Sequence, residues 1–133
     1  MSDDQSREHV GAMWSADTAS MALGMSLEWV EAGSARVSML VRHDMVNGHD
    51  LCHGGLIASL ADSAFAVACN SRGVKTVAAG FDIQFIEPAR RGDLLVAAAV
   101  ERALRGRSGV YDVTVTVADR VVAEFRGRSR AVS

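Results

Sequence analysis

The stretch Asn47-Gly48-His49-Asp50-Leu51-Cys52-His53-Gly54-Gly55-Leu56-Ile57-Ala58-Ser59-Leu60-Ala61-Asp62-Ser63-Ala64-Phe65-Ala66-Val67-Ala68-Cys69-Asn70-Ser71-Arg72 decides how this chain folds. A polar loop ends at His53-Gly54-Gly55 and gives way to a run that is apolar nearly all round, in which Asp62 is the only charge. Such a run predicts a buried helix. Glycine keeps side-chain bulk away from its first turn, so unpaired backbone N–H groups at the positive end of the helix dipole are free to meet an anion or a developing oxyanion. A carboxylate inside an apolar helix calls for a partner or a use, because burying a charge costs several kcal/mol.

Outward from that helix the pattern changes period. Residues 7–21 set Val10, Met13, Trp14, Ala16, Ala19 and Met21 among polar residues at helical spacing, which predicts an N-terminal helical segment within residues 1–22, stopped by Gly24. Residues 25–32 and 35–42 alternate around Gly33-Ser34 and read as a hairpin. After Gly73 the chain reads as strands over 76–87, 93–104, 108–117 and 121–131, with turns at 88–92, 105–107 and 118–120. One apolar helix followed by an antiparallel meander is satisfied when the sheet wraps around the helix. The expected class is α+β, as one domain over residues 1–133.

Composition narrows the function. With 49% hydrophobic residues the chain has material for a core, and a net charge of -2 provides no general basic field for nucleic acid. No apolar run approaches the roughly 18 residues of a membrane span and no leader pattern opens the chain, so a cytoplasmic protein without membrane contact is expected. Cys52 and Cys69 fall in and beside one helix, a poor geometry for a disulfide, and read as reduced thiols.

Each candidate residue has a plain structural role beside its chemical one. Asp62 is a base or a nucleophile if it is shielded, because desolvation raises its pKa; otherwise Ser59 or Ser63 holds it as a structural aspartate. Gly54 is an oxyanion donor or a packing glycine. Asn47-Gly48 is a common turn pair, and its chemical role is to orient a carbonyl or a water. His43, His49, Cys52 and His53 match no common zinc spacing, so no metal is expected, and His53 is read as an imidazole fixing the loop at the helix entrance.

The motif Asn47-Gly48-His49 with Cys52-His53-Gly54-Gly55, continued by Ser59-Leu60-Ala61-Asp62-Ser63-Ala64-Phe65 and Cys69-Asn70-Ser71-Arg72-Gly73, resembles the hotdog-fold acyl-CoA thioesterases of phenylacetic acid degradation. Glu87-Pro88-Ala89, Gly92-Asp93, Gly109-Val110-Tyr111-Asp112-Val113 and Phe125-Arg126-Gly127 extend the resemblance from about residue 24 to the end. It implies a hotdog fold, hydrolysis of a small aryl-acetyl-CoA-like thioester, and a site of Asn47, the Gly54 N–H and Asp62, with His53 supporting. Coenzyme A enters as part of the acyl-CoA substrate, and no further cofactor is implied. Gly55, Arg90, Arg91, Arg126 and Arg128 are the expected substrate contacts, the arginines gripping phosphates unless they are solvated edge charges.

Gly54 and Asp62 lie about 12 Å apart along a helix rising about 1.5 Å per residue. A homo-oligomer with sites shared between subunits is therefore expected, a dimer at minimum and a tetramer as the full assembly. Two rival readings are a hydratase, which needs an Asp and a His acting together, and a non-catalytic acyl-CoA-binding module, which has no use for Asp62.

Overall fold

The computed structural model describes residues 3–132. In chain order the elements are α1 (Asp3–Ser15), α2 (Thr18–Ala22), β1 (Ser26–Glu31), β2 (Ser34–Leu40), a single 3-10 turn (His43–Met45), α3 (Gly54–Asn70), β3 (Thr76–Phe85), β4 (Leu94–Arg105), β5 (Ser108–Val117) and β6 (Arg120–Ala131). Six strands form one antiparallel sheet in the order β1-β2-β4-β5-β6-β3, and α3 packs on its inner face. Residues 1, 2 and 133 of the expected domain lie outside the described residues.

Two expectations change here. The meander is only β4-β5-β6; β3 pairs with β6 at the far edge, and β4 returns beside β2. A 17-residue helix spans about 25 Å, so α3 carries the chain across the sheet before β3 begins. The N-terminal helix is also broken in two. The Asp17 side chain accepts from the Ser20 N–H at 2.9 Å and caps α2, so the backbone cannot continue the α1 helix through it.

Small residues let α3 approach the sheet. Ala35, Ala97 and Ala99 are buried on the inner face, and Phe65 seats against Tyr111 and Phe125 with ring centroids 5.6 and 5.7 Å away. A Cβ on Gly127 would stand 2.8 Å from the Phe65 ring, so only glycine leaves the sheet open to it. Phe65→Ala is expected to cost about 3–5 kcal/mol, measured as the loss of unfolding free energy in urea. A loss under about 1 kcal/mol would mean that the site collapses and the ring is not the anchor.

As the apolar run implied, α3 is buried on most sides, with one stripe left partly open. The sheet covers Ile57, Leu60, Ala61, Ala64, Phe65 and Ala68, while Gly55, Ser59, Asp62 and Ala66, at helical spacing, form a stripe that stays partly open. The carboxylate sits on that stripe. The sheet curls around the rest of the helix, which touches all six strands, as expected of a sheet wrapped around a central helix.

Candidate active site

The loop before α3 is built by its own backbone together with the Asn47 side chain. Asn47 Oδ1 accepts from the N–H groups of His49 and Leu51 at 2.9 and 3.2 Å, the Asn47 N–H donates to the Leu51 carbonyl at 2.7 Å, and Asp50 adopts a positive φ of 61°. Asn47 is therefore a turn residue, as its Asn-Gly pair suggested. Only its oxygen is spent on the turn. The side-chain NH₂ has no hydrogen-bond partner among the described residues, and Asn47 lines the cleft beside Gly54.

His53 ends the loop and caps α3 through its main chain. Its N–H donates to the Met45 carbonyl at 2.9 Å, while its own carbonyl accepts from Leu56 and Ile57. The backbone thus does the fixing that was expected of the imidazole, and the side chain is exposed. Cys52 N–H to the Ala89 carbonyl at 2.8 Å ties the same entrance to the turn before β4. Gly54 is the first residue of α3, and its N–H meets no acceptor among the described residues.

A cleft of about 390 Å³ opens at this point, lined by Asn47, Cys52, Gly54, Ile57, Phe85 and Ile86 among others. Its walls are mainly apolar, and Asn47, the helix start and Glu87 are the polar groups in its lining. The Phe85 ring lies so close that a Cβ on Gly54 would meet it at 2.9 Å. Gly54 is thus a packing glycine as well as a free donor. Cys52 is the one thiol in this cleft among the described residues, and burial pushes it up to about 11. It stays protonated at neutral pH and offers no thiolate nucleophile.

Asp62 is half-buried and accepts no hydrogen bond from the described residues; neither Ser59, which donates to the Gly55 carbonyl, nor Ser63 holds it. Burial raises its carboxyl above the usual range, and the nearby Asp17 charge adds to the rise. These are the conditions for a general base. Asp62 sits eight positions along α3 from Gly54, so one protomer does not bring the two to a common atom.

The arginines divide. Arg90 and Arg91 follow Pro88 and Ala89, which line the Gly54 cleft; the Arg91 guanidinium meets His43 Nδ1 at 3.0 Å, and the Arg90 guanidinium has no partner among the described residues. Gly127 faces Phe65, so by strand alternation Arg126 and Arg128 lie on the outer face of the sheet, away from α3. Arg126 grips Asp112 with two bonds of 2.7 and 2.9 Å, holding that carboxyl down to about 2, and Arg128 pairs with Asp82 at 3.2 Å. Gly55 lies exposed in the first turn of α3. No three His, Cys, Asp or Glu side chains converge as a metal set among the described residues.

A sheet laid against one long helix, with free N–H groups at the helix start and a half-buried carboxylate two turns in, is the architecture of the hotdog thioesterases. The chain belongs to the thioesterase superfamily, which it matches over residues 49–124. It is 42% identical to the acyl-coenzyme A thioesterase PaaI of Escherichia coli (strain K12), covering 94% of this chain and 90% of that protein. The structure of the E. coli PaaI protein from the phenylacetic acid degradation operon superposes with a TM-score of 0.95 at 39% identity, over 98% of this chain and 96% of that one. A mutant structure of phenylacetic acid degradation protein PaaI from Thermus thermophilus gives 0.85 at 36% identity, over 87% and 100%.

Two features of the site were missed in the sequence. Phe85 over Gly54 joins residues far apart in the chain and leaves no local trace. The Asp17 cap did leave one, an Asp three residues before Ser20 inside a helical pattern, which is an N-cap spacing.

Proposed function

We propose that this protein hydrolyses small aryl-acetyl coenzyme A thioesters to the free acid and coenzyme A. The observation that carries this reading is the pairing of unspent donors at the Gly54 helix start with the shielded carboxylate of Asp62. The acyl group lies in the cleft against Phe85, Ile86 and Ile57, and its carbonyl oxygen takes the Gly54 N–H. Asp62 removes a proton from water as the oxygen attacks the carbonyl carbon; the carbon–sulfur bond then breaks and the thiolate leaves, taking up a proton. Oxyanion donors of this kind contribute about 2.7–4 kcal/mol elsewhere. The Asn47 NH₂ orients the carbonyl or the water.

In this reading Arg90 and Arg91 at the cleft mouth meet the phosphates, while Arg126 and Arg128 serve as ion pairs on the outer face. Coenzyme A arrives with the substrate, no other cofactor takes part, and neither nucleic acid nor a membrane is a partner. No helix among the described residues is long and apolar enough to cross a membrane. A cytoplasmic location goes with the free thiols Cys52 and Cys69.

The site is completed by a second copy. Strand β3 is a long edge carrying Val77, Phe81 and Phe85 exposed, an unpaired template for the β3 of another protomer. Antiparallel pairing of two such edges lays the α3 helices side by side in opposite directions and brings one Asp62 to the other Gly54. Leu40, Leu94 and Val100 leave an exposed apolar patch on the β2-β4 part of the outer face, which suits the joining of two dimers into a tetramer.

The test is a thiol-release assay on purified protein with phenylacetyl-, hydroxyphenylacetyl-, benzoyl-, acetyl- and long-chain acyl-CoA. Turnover with the highest kcat/KM for the arylacetyl thioesters is expected. Binding of these thioesters without any thiol release would make the protein a binding module and sink the reading.

A further inference from the structure

The residue after Asp62 anchors a hydrogen-bond chain that the reaction above does not use. Ser63 Oγ lies 2.8 Å from Ser20 Oγ, which lies 2.6 Å from Asp17 Oδ2. A carboxylate only accepts, so Ser20 donates to Asp17 and in turn accepts from Ser63, and the direction of the whole chain is fixed. Ser20 is 3% exposed, and Asp17 Oδ1 also holds the Ser20 N–H at 2.9 Å. The short helix α2 is thus pinned to α3 beside Asp62, by polar groups where apolar ones would have packed.

We infer that Asp17 is a positioning residue for Asp62: through Ser20 and Ser63 it fixes the α2 segment against α3 and keeps a second carboxylate behind the reacting one. The inference rests on the reading of Asp62 as the base. A like charge held near Asp62 disfavours its ionised form, which makes the carboxylate, once ionised, the stronger base. The Asp62 carboxyl is raised in this way, by burial first and by Asp17 second.

The other titratable groups on the elements around α3 do not supply that charge. Cys69 on α3 is pushed up to about 12 by burial, then by Asp62, and stays neutral. Tyr111 on β5 is raised by burial and by its hydrogen bond to Glu101, and Glu101 on β4 is neutralised by Arg72 at 3.0 Å. From α1, His9 bonds Asn70, at the other end of α3. Groups from a second protomer are the same in wild type and variant and cancel in the comparison.

Asp17→Asn removes the charge and keeps an oxygen for the Ser20 N–H. The experiment follows the Asp62 carboxyl by carbon-13 NMR through a pH titration, its resonance assigned by its loss in Asp62→Asn. In Asp17→Asn the midpoint is expected to fall by about half a pH unit or more, and the acid limb of kcat/KM to move the same way. Ser20→Ala, which cuts the chain but leaves the charge, should lower the melting temperature and move the midpoint less. An unmoved midpoint in folded Asp17→Asn, or in Asp17→Ser if the first variant does not fold, overturns the inference. Retained turnover in Asp62→Asn would instead overturn the reading of Asp62 as the base, while the titration still decides whether Asp17 is coupled to it.

Discussion

Asp62→Asn is expected to lower turnover of the preferred thioester by roughly 10²- to 10⁴-fold while KM changes little, because the amide keeps the shape of the carboxylate and loses its ability to take a proton. The same substitution should raise the melting temperature at neutral pH. The Asp62 carboxyl is raised in the fold by burial and by Asp17, so between its unfolded and folded values the native state binds more protons and stability falls as pH rises. Above that window the ionised group opposes folding by its full amount, and asparagine removes the opposition. The gain in melting temperature should therefore shrink as pH falls through the raised value and vanish below about pH 4, where the unfolded carboxyl is protonated as well. Wild-type turnover should fail along the same raised limb. Near-normal turnover in a folded Asp62→Asn, or a lower melting temperature, would make Asp62 a structural residue.

That one substitution is expected to separate activity from stability explains why the site could be read early. An ionisable group in the wrong environment is visible in a sequence: Asp62 stands alone in a run of apolar residues, and Gly54-Gly55 stand where that run begins. The turn role of Asn47 was legible for the same reason, since Asn-Gly carries its geometry locally. The strand boundaries also held closely, Ser108–Val117 without change, because alternation is a local property. What did not show was everything decided by two distant segments. The sheet order depends on where α3 delivers the chain, and nothing within β3 says that it pairs with β6. Strand alternation placed Arg126 and Arg128 on one face, yet which face looks toward α3 became clear only from Gly127 against Phe65. The stripe that leaves Asp62 half-open left only a faint trace, Ser59 and Asp62 three residues apart in a run otherwise rich in small apolar residues.

Mixing two inactive variants is expected to restore about a quarter of wild-type activity. In the shared-site proposal, the distance between Gly54 and Asp62 along α3 is met by taking the donor from one chain and the carboxylate from another. Asp62→Ala breaks the carboxylate side and Gly54→Pro the donor side; proline is tolerated at the first helical position and has no N–H to give. Gly54→Pro also sets carbon where the Phe85 ring now lies, 2.9 Å from a Cβ on Gly54. Phe85 is 52% exposed in the single chain but lies on the edge strand proposed to pair with a second protomer, so the mixing is read only on Gly54→Pro chains shown to fold and to form dimers. Each variant alone should be nearly inactive. Co-refolded in equal amounts, about half the dimers pair one chain of each kind, and each mixed dimer has one site damaged on both sides and one site intact. Half the dimers with half their sites intact gives the quarter. A site contained in one chain predicts no recovery at all, because every chain in the mixture carries a lesion. Folded dimers shown by mass to be mixed, yet inactive, would therefore end the shared-site proposal and leave the donor to be sought among N–H groups near Asp62 itself.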